Sequence, residues 1–339
     1  MLKNRQMLFV TPYFFGYEEQ IALEFERQGW GVTIVDERPS NHSLMRAVFR
    51  VRPALAWSRI RNYYRKILDR LVGKEFDLIL VVKGEVVPLF FIDELRTRYP
   101  AARIVGYTFD SVVNSPRFQV LSDRFDASFS FDRKDASSHG FKYLPLFHAP
   151  NFQSASRSLR QNEICFVGSL HSDRYRLAKT IARDSPAFLF FYVPAYWYFF
   201  FIKYLTKAAH MVSWSEVSFK SLTLAEVADA FGTARCVIDV PRVGQQGLTM
   251  RTFEALAAGA LLATTNAAIR EEPFFDPARI VIFDERDPEA ARTLIADACR
   301  AWAHDPNWVA SQLSNYSIAN WVGAVSGTRA SLEGRGFGQ

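Results

Sequence analysis

The chain alternates short apolar runs with stretches of helical spacing, and this alternation constrains its fold more than any other feature. The run FDLILVV at 76–82 has the length and continuous apolar character of a strand buried on both faces. Further strands are predicted at 7–13, 31–35, 102–109, 125–131 and 143–146, with helices at 18–28, 55–72 and 89–98. Strands that alternate with helices at this spacing predict a parallel, doubly wound sheet.

The same alternation begins again after the polar, serine-rich stretch NFQSASRSLRQN at 151–162, which we interpret as an interdomain linker. Beyond it, strands are predicted at 164–167, 187–193, 236–240, 261–265 and 280–283, with helices at 174–183, 224–231, 249–258 and 288–303. The 339 residues leave room for two domains of about 150 residues each. We therefore predict the α/β class, with two Rossmann-like domains at 1–152 and 153–310 and a ligand cleft between them. The tail at 311–339 is predicted to pack back toward the first domain.

Amino-acid composition and net charge indicate which kinds of molecule the chain can bind. Hydrophobic residues make up 49% of the chain and charged residues 22%, which is typical of a folded globular protein. The net charge of +6 suits anionic partners such as nucleoside diphosphates, phosphorylated lipids or an acidic membrane leaflet. No zinc-finger spacing, basic heptad region or RNP-like strand is found, so nucleic acid is not a predicted partner. The scattered cysteines Cys165, Cys236 and Cys299 predict a reducing, cytoplasmic location.

The segment GLTMRTFEALAAGALLATT at 247–265 carries most of the functional signal. Glu254 is the only charged residue between Phe253 and Thr265, and a carboxylate in apolar surroundings needs hydrogen-bond donors. A ribose diol would supply two such donors. The start of the predicted helix, with Thr249 and Arg251, would offer free N–H groups and a guanidinium to phosphates. The alternative is that Glu254 pairs with Arg251 or another internal cation and only stabilises the domain.

A second glycine turn is predicted where the first strand of the second half ends. Gly168 and Ser169 follow this strand, and Arg174 begins the next helix. A glycine turn that leads into a helix is a natural cradle for a diphosphate. A tight turn with solvated arginines is the other interpretation.

Two carboxylates of the first half follow predicted strands and are candidate general bases. Asp110 lies in GYTFDSVVNSPRF, and Glu85 lies in VVKGEVV beside Lys83. A carboxylate at this edge of the sheet would accept the proton of an attacking hydroxyl group. The alternative is that Asp110 caps the following turn through its side chain. Asp36 and His148 are weaker candidates.

Three segments of the chain resemble bacterial GT-B glycosyltransferases of the CgeB-like, "glycosyl transferases group 1" type, many of which belong to capsule or lipopolysaccharide synthesis. They are QQGLTMRTFEALAAGALLATTN at 245–266, FVGSLHSDRYR at 166–176 and FDRKDASSHGFKYLPLF at 131–147. The resemblance implies that Glu254 holds the donor ribose and that a basic residue, Arg251 or Arg174, lies near the diphosphate. Retaining members usually carry a second glutamate where this chain has Gln246, so the stereochemistry of transfer stays open.

The resemblance also implies the reaction. A sugar would move from a nucleoside diphosphate sugar to a glycan or lipid-linked acceptor, with no cofactor and no metal, because arginines and helix N-termini neutralise the leaving diphosphate. A nucleotide-sugar epimerase of the same architecture and a non-catalytic membrane or assembly protein are the alternatives.

An aromatic segment in the second half has no place in this scheme. Residues 196–207 (YWYFFFIKYLTK) carry more aromatic surface than one helix face hides, with lysines at 203 and 207. Such a patch would rest on the inner face of a membrane, together with the basic run 46–70, or bind a lipid-linked acceptor. A core-packed helix or a dimer interface is the alternative.

Overall fold

The computed structural model describes residues 5–40, 56–154, 160–170, 173–242 and 244–328. Within these ranges the chain forms two compact units. The first comprises Met1–Pro145 and Ile318–Gln339, and the second comprises Leu146–Ser317. The domain limits predicted from the sequence, 1–152, 153–310 and 311–339, stay predictions.

The first unit contains a six-stranded, fully parallel sheet in the order β2-β1-β3-β4-β5-β6. Its strands are β1 (Arg5–Thr11), β2 (Trp30–Asp36), β3 (Leu78–Val82), β4 (Arg103–Thr108), β5 (Ala127–Ser130) and β6 (Lys142–Tyr143). Its helices are α1 (Tyr17–Arg27), α2 (Trp57–Arg70), α3 (Leu89–Arg98), α4 (Pro116–Ser122) and α5 (Arg133–His139). All five residues of β3 are buried, as expected for a central strand with helices on both faces.

A helix from the end of the chain completes the first unit. Helix α13 (Ile318–Ser326) contacts α1, and the ring of Trp321 meets that of Tyr107 edge-on at 4.8 Å. Arg103 donates a hydrogen bond to the carbonyl of Val325 at 3.2 Å. The helix buries an apolar face because Trp321, Val322 and Val325 are almost fully enclosed.

The second unit contains a further doubly wound sheet of six parallel strands, but in a different order, β12-β11-β10-β7-β8-β9. The strands are β7 (Asn162–Ser169), β8 (Ala187–Tyr192), β9 (Val217–Ser218), β10 (Ala234–Asp239), β11 (Leu261–Thr264) and β12 (Ile280–Ile282). The helices are α6 (Pro150–Ser154), α7 (Arg174–Ile181), α8 (Tyr196–Phe200), α9 (Leu224–Gly232), α10 (Met250–Ala257), α11 (Pro288–Ala301) and α12 (Pro306–Gln312). The predicted α/β class with two Rossmann-like, doubly wound sheets is confirmed.

The predicted linker is partly wrong, because both of its described ends are structured. Its first residues belong to α6, where Phe152 is fully buried against Phe231 at 5.9 Å. Near its other end, Arg160 donates to the carbonyls of Gly232 and, at 2.9 Å, of Ala258. These carbonyls lie at the C-terminal ends of α9 and α10, which leave acceptors without partners inside their own helices. Arg160 therefore joins two helix ends to the start of β7.

Several helices were not predicted, although their start signals are present in the sequence. Asp132 accepts hydrogen bonds from the backbone of Lys134 and Asp135 and so caps α5. Helix α12 has the same kind of start, with Asp305 as its cap and Pro306 in its first turn. Both helices are short and largely polar, so they carry little apolar periodicity. Their start signals, an aspartate cap and in α12 a proline in the first turn, are therefore the main evidence for them in the sequence.

Candidate functional site

In the second unit the strand order reverses between β7 and β10, which are neighbours in the sheet. Open α/β sheets bind ligands outside the carboxyl ends of their strands at such a switch point. Strand β7 ends at Ser169 and β10 ends at Asp239. The side chains that gather here form the candidate site of this unit.

Asp239, which sequence reasoning missed, organises this edge. Its carboxylate is fully buried and accepts hydrogen bonds from Thr249 Oγ1 at 2.7 Å and Thr252 Oγ1 at 3.2 Å. Arg251 Nη1 donates to it at 2.9 Å. The carboxylate thus fixes the first turn of α10 against the end of β10. The sequence signal was an aspartate that ends the apolar run CVIDV, at the position where a central strand of a parallel sheet meets its ligand edge.

Arg174, predicted as a phosphate contact, is 7% exposed at the start of α7. Its Nη2 donates to the carbonyl of Val240, and among the described residues its buried Nε has no hydrogen-bond partner. Burial lowers the pKa of Arg174 to about 9, and the positive charges of Arg251 and Arg242 add to this effect. The group stays a cation at neutral pH, but its environment disfavours the charge. An anion placed beside it would offset this cost.

The predicted turn at Gly168 and Ser169 is wrong, because both residues continue the strand. Gly168 is in register with Phe191 and Ser169 with Tyr192, so parallel pairing with β8 holds them extended. Helix α7 begins only at Arg174, after residues 171–172, which lie outside the described ranges. The absence of a side chain at Gly168 nevertheless lets two neighbouring side chains lie close to its backbone. A Cβ atom there would lie 2.9 Å from the ring of Phe166 and 3.6 Å from Arg251 Nη2.

Glu254 lies in the second turn of α10, three residues beyond Arg251, and is 3% exposed. The described ion pair of Arg251 is with Asp239. The alternative interpretation of the sequence, in which Glu254 pairs with Arg251 or another internal cation, therefore also stays a prediction. The contact of Glu254 with a ribose stays a prediction, as do the ligand roles of Thr249, Gly168, Ser169 and Arg174.

The first unit has its own switch point, between β1 and β3. Lys83, directly after β3, has a φ angle of 71°, which is rare for a residue with a side chain. Its Nζ lies 2.9 Å from Asp110 Oδ2 and 3.4 Å from Glu85 Oε2. Arg38 Nη2 approaches Glu85 Oε2 at 3.1 Å. The structure thus brings together Asp110 and Glu85, the two predicted catalytic carboxylates, around one lysine.

The two carboxylates are held differently. Burial alone would raise the pKa of Glu85, but Lys83 and Arg38 lower it below its usual value. Asp110 pairs with Lys83, while the hydroxyl of Thr108 closes the turn by donating to the Asp110 carbonyl at 2.7 Å. Asp110 is therefore the carboxylate with fewer described cationic partners among the two.

Glu37 lies behind this pair and was not predicted as a site residue. It is fully buried, and its Oε2 accepts the backbone N–H of Glu85 at 2.9 Å. Its Oε1 has no hydrogen-bond partner among the described residues. Burial raises the pKa of Glu37 to about 8. At neutral pH the side chain is mostly a neutral acid that supports the loop of Glu85.

The two weaker candidates have structural partners. His148 is 1% exposed, and its Nε2 lies 3.3 Å from the carbonyl of Leu313. Burial lowers the pKa of His148, so the ring is neutral. Asp36 Oδ1 accepts the backbone N–H of Arg38 at 2.9 Å. Both side chains help to hold loops in place.

In the comparison with known proteins, part of the second unit is similar to one described family. Residues 202–311 match the family model "Glycosyl transferase-like". This segment includes Asp239, Arg251 and Glu254, and it covers less than half of the chain. No curated protein matches the chain in sequence.

Solved structures show the same fold over nearly the whole chain. A UDP-forming α,α-trehalose-phosphate synthase from Burkholderia vietnamiensis is similar with a TM-score of 0.63 and 13% identity, over 95% of this chain and 99% of the other. HepE from Anabaena, in complex with UDP and glucose, is similar with a TM-score of 0.60 and 12% identity, over 96% of this chain and 99% of HepE. The lipopolysaccharide outer core galactosyltransferase WaaB is similar with a TM-score of 0.57 and 9% identity, over 96% of this chain and 100% of WaaB. The fold is that of the GT-B glycosyltransferases.

Two properties of the described residues bear on membranes and metal ions. None of the described helices combines the length and apolar character that a membrane crossing requires. In the described ranges, no three His, Cys, Asp or Glu side chains come together as a ligand set for a metal ion.

Proposed function

We propose that the protein is a glycosyltransferase that moves a sugar from a nucleoside diphosphate sugar to an acceptor hydroxyl. The observation that carries this proposal is the positive charge of Arg174, Arg242 and Arg251 at the switch point of the second sheet, where Arg251 pairs with the buried carboxylate of Asp239. More positive than negative charge at the ligand edge suits a diphosphate. The glycosyl transferase-like segment at 202–311 contains two of these arginines.

Each part of the donor would have a partner at this edge. The guanidinium groups of Arg251 and Arg174 neutralise the diphosphate that leaves with the nucleoside. Gly168, whose absent Cβ would lie 3.6 Å from Arg251 Nη2, would let this guanidinium lie close to the backbone of β7 beside the diphosphate. Thr249 and Ser169 would border the diphosphate, and Glu254 would accept hydrogen bonds from the ribose. No metal and no cofactor enter this scheme, and chelation with EDTA should leave the rate unchanged.

In the first unit, Asp110 would act as general base on the acceptor hydroxyl, with Glu85 as the other candidate. A base must be able to receive a proton near the working pH, and the lowered pKa of Glu85 makes it the weaker base. Lys83 Nζ, 2.9 Å from Asp110 Oδ2, would orient this carboxylate. The hydroxyl proton would pass to Asp110 as the acceptor oxygen attacks the anomeric carbon and the bond to the diphosphate breaks.

The acceptor class is proposed from a sequence resemblance and a shared fold. The resemblance of 245–266 to enzymes of capsule and lipopolysaccharide synthesis, and the shared fold with a lipopolysaccharide galactosyltransferase, favour a surface glycan or a lipid-linked sugar. The structural neighbour HepE binds UDP and glucose, which makes UDP-glucose the first donor to test. A cytoplasmic location agrees with the use of nucleotide sugars and stays a prediction.

Nucleotide binding tests the proposal directly. Calorimetric titration with UDP, GDP, ADP and dTDP should identify one nucleoside diphosphate that binds the wild type. With that nucleotide, Glu254→Gln should bind about tenfold to a hundredfold more weakly, because it removes charge-assisted hydrogen bonds. Arg251→Lys should lose about tenfold, since lysine cannot form the bidentate contact.

One buried and one partly buried residue of the same unit provide matched controls. Glu272, 5% exposed, accepts a hydrogen bond from the Tyr316 hydroxyl at 3.1 Å, and Arg160 holds helix carbonyls. Glu272→Gln and Arg160→Lys should keep wild-type nucleotide affinity, even where the melting temperature falls. The proposal fails if no nucleoside diphosphate binds the wild type, or if Glu254→Gln and Arg251→Lys bind as tightly as it does.

A further inference from the structure

The aromatic segment of the second unit, taken here with its flanking residues as 194–215, is structured and includes α8. After α8 the chain continues as a wider π-helical turn over Phe201–Leu205. Phe199 is fully buried and meets the ring of Trp214 edge-on at 4.6 Å. The ring of Tyr196 stacks on Phe219 at 3.9 Å. These inward contacts fix the backbone of the segment, so the direction of its other side chains is determined by the fold.

The outer surface of this segment is apolar and aromatic. Eight large side chains are each at least 40% exposed, namely Tyr196, Trp197, Phe200, Phe201, Tyr204, Leu205, Met211 and Trp214. They fall within nineteen consecutive positions, 196–214, of a structured segment. Globular proteins seldom leave so much contiguous apolar surface in water unless it contacts a partner or a membrane.

The charges in the segment all have one sign. Between Pro194 and Ser215 there is no aspartate or glutamate, whereas Lys203, Lys207 and His210 are present. These three side chains and Tyr204 line a cavity of about 540 Å³. Lys203 Nζ donates to the carbonyls of His210, at 3.1 Å, and Val212, which keeps the cavity in shape. Lys207 is exposed and available to an anion.

We propose that the aromatic segment docks the protein on the surface of an anionic lipid bilayer. Tryptophan and tyrosine prefer the boundary between lipid headgroups and acyl chains, because one end of each side chain is apolar and the other polar. Lys207 and His210 would face headgroup phosphates, and the exposed rings would enter about 5–10 Å below them. A surface with only basic charges complements anionic lipids.

The charge pattern argues against the main competing occupant, a second copy of the chain. A two-fold symmetric interface places the same patch on both partners. Here it would bring Lys207 of one copy toward the same cation of the other, with no aspartate or glutamate between Pro194 and Ser215 to offset them. Lipid phosphates supply that missing negative charge. The proposal is independent of the donor site and requires no nucleotide.

Vesicle flotation, without any nucleotide, tests this proposal on the full chain. The wild type should float with vesicles of phosphatidylcholine and phosphatidylglycerol, and much less with phosphatidylcholine alone. Trp197→Ser combined with Phe200→Ser should weaken binding by more than about tenfold, since two apolar anchors are lost. Lys207→Glu should weaken binding to the anionic vesicles by about tenfold and reduce its sensitivity to salt.

Val72→Ser and Leu294→Ser, at positions 72% and 46% exposed outside the segment, are matched controls and should float like the wild type. Melting curves and nucleotide titration verify that every variant is folded. The proposal is overturned if the wild type stays in solution with anionic vesicles at low salt, or if the Trp197/Phe200 variant floats equally well. It is also overturned if light scattering shows a dimer that this variant dissolves, without vesicle binding by the wild type.

Discussion

At the carboxyl edge of the first sheet, two cations and two carboxylates are paired with one another, whereas the corresponding edge of the second sheet holds three cations around one carboxylate. The side chains are Arg38, Lys83, Glu85 and Asp110 in the first unit, and Arg174, Arg242, Arg251 and Asp239 in the second. Both sheets are parallel and doubly wound, with different strand orders, and each has a switch point where its strand order reverses. Topology therefore positions the site, and the residues at the strand ends select the charge of the ligand.

The difference suits two steps of one reaction. The second unit has the unbalanced positive charge that a diphosphate needs, while the first has a neutral cluster in which a carboxylate is held in a defined ionisation state. Glu37, a neutral buried acid, supports this cluster from behind. Substitutions in the first unit should therefore affect turnover or pH dependence, and those in the second should affect donor affinity.

The largest effect is expected for Asp110→Asn. Loss of a general base reduces the rate by about 10²–10⁴-fold, while the dissociation constant for the nucleoside diphosphate should not change. Glu85→Gln is the matched variant, and a smaller loss of rate is expected because Glu85 is the weaker base. Measured turnover of UDP-glucose, or of whichever nucleotide sugar binds, separates the two. If Asp110→Asn weakens nucleotide binding but leaves turnover of bound donor intact, the division of labour between the units is wrong.

Glu37→Gln should change how stability depends on pH. In the wild type, the folded pKa of about 8 exceeds the unfolded value of 4.5, so the folded state binds the extra proton between these pH values. The free energy of unfolding then falls as pH rises through this window, by up to about 1.4 kcal/mol per pH unit. The glutamine variant lacks this slope.

Urea titrations from pH 5 to pH 9 measure the effect. The stability of Glu37→Gln relative to the wild type should increase with pH and level off above about pH 8. Parallel curves for the two proteins across the whole range would show that Glu37 is not the neutral buried acid described here.

Asp239→Asn should destabilise the second unit, because it leaves the partly buried Arg251 without its ion-pair partner. Breaking a buried pair costs on the order of 3 kcal/mol. Asp297→Asn is the control, since Asp297 pairs with Arg300 on the surface and both side chains are more than half exposed. Exposed pairs of this kind contribute little. Equal shifts in chemical unfolding for the two variants would remove Asp239 from its organising role.

Gly168→Ala should have the smallest effect of this series. The added methyl group would press on the ring of Phe166 and on Arg251, at an expected cost of about 1–2 kcal/mol, with a few-fold weaker nucleotide affinity. Gly31→Ala in the first unit meets only the flexible end of Gln6 and is the control. Nucleotide titration should separate the two, and an unchanged affinity in Gly168→Ala would show that the approach over β7 is not used.

The alternation of apolar runs and helical spacing was sufficient to predict both sheets and the α/β class. Runs such as FDLILVV have one stable solution, a central parallel strand, because both of their faces must be covered. Short elements such as α5, α12 and β9 were missed, since two to seven residues carry too little periodicity. The extension of β7 through Gly168 and Ser169 was missed for another reason. Pairing with β8 overrides the preference of glycine for turns.

By itself the sequence determined the fold and the segments where ligand chemistry lies, because hydrophobic spacing and strand-end residues are local properties. Only the tertiary structure decided which charges meet. It paired Arg251 with Asp239, gathered Asp110 and Glu85 around Lys83, and enclosed Glu37 behind them. Whether these residues are neighbours along the chain or far apart, the partner of a charge depends on distance and burial, which spacing in one sequence does not contain.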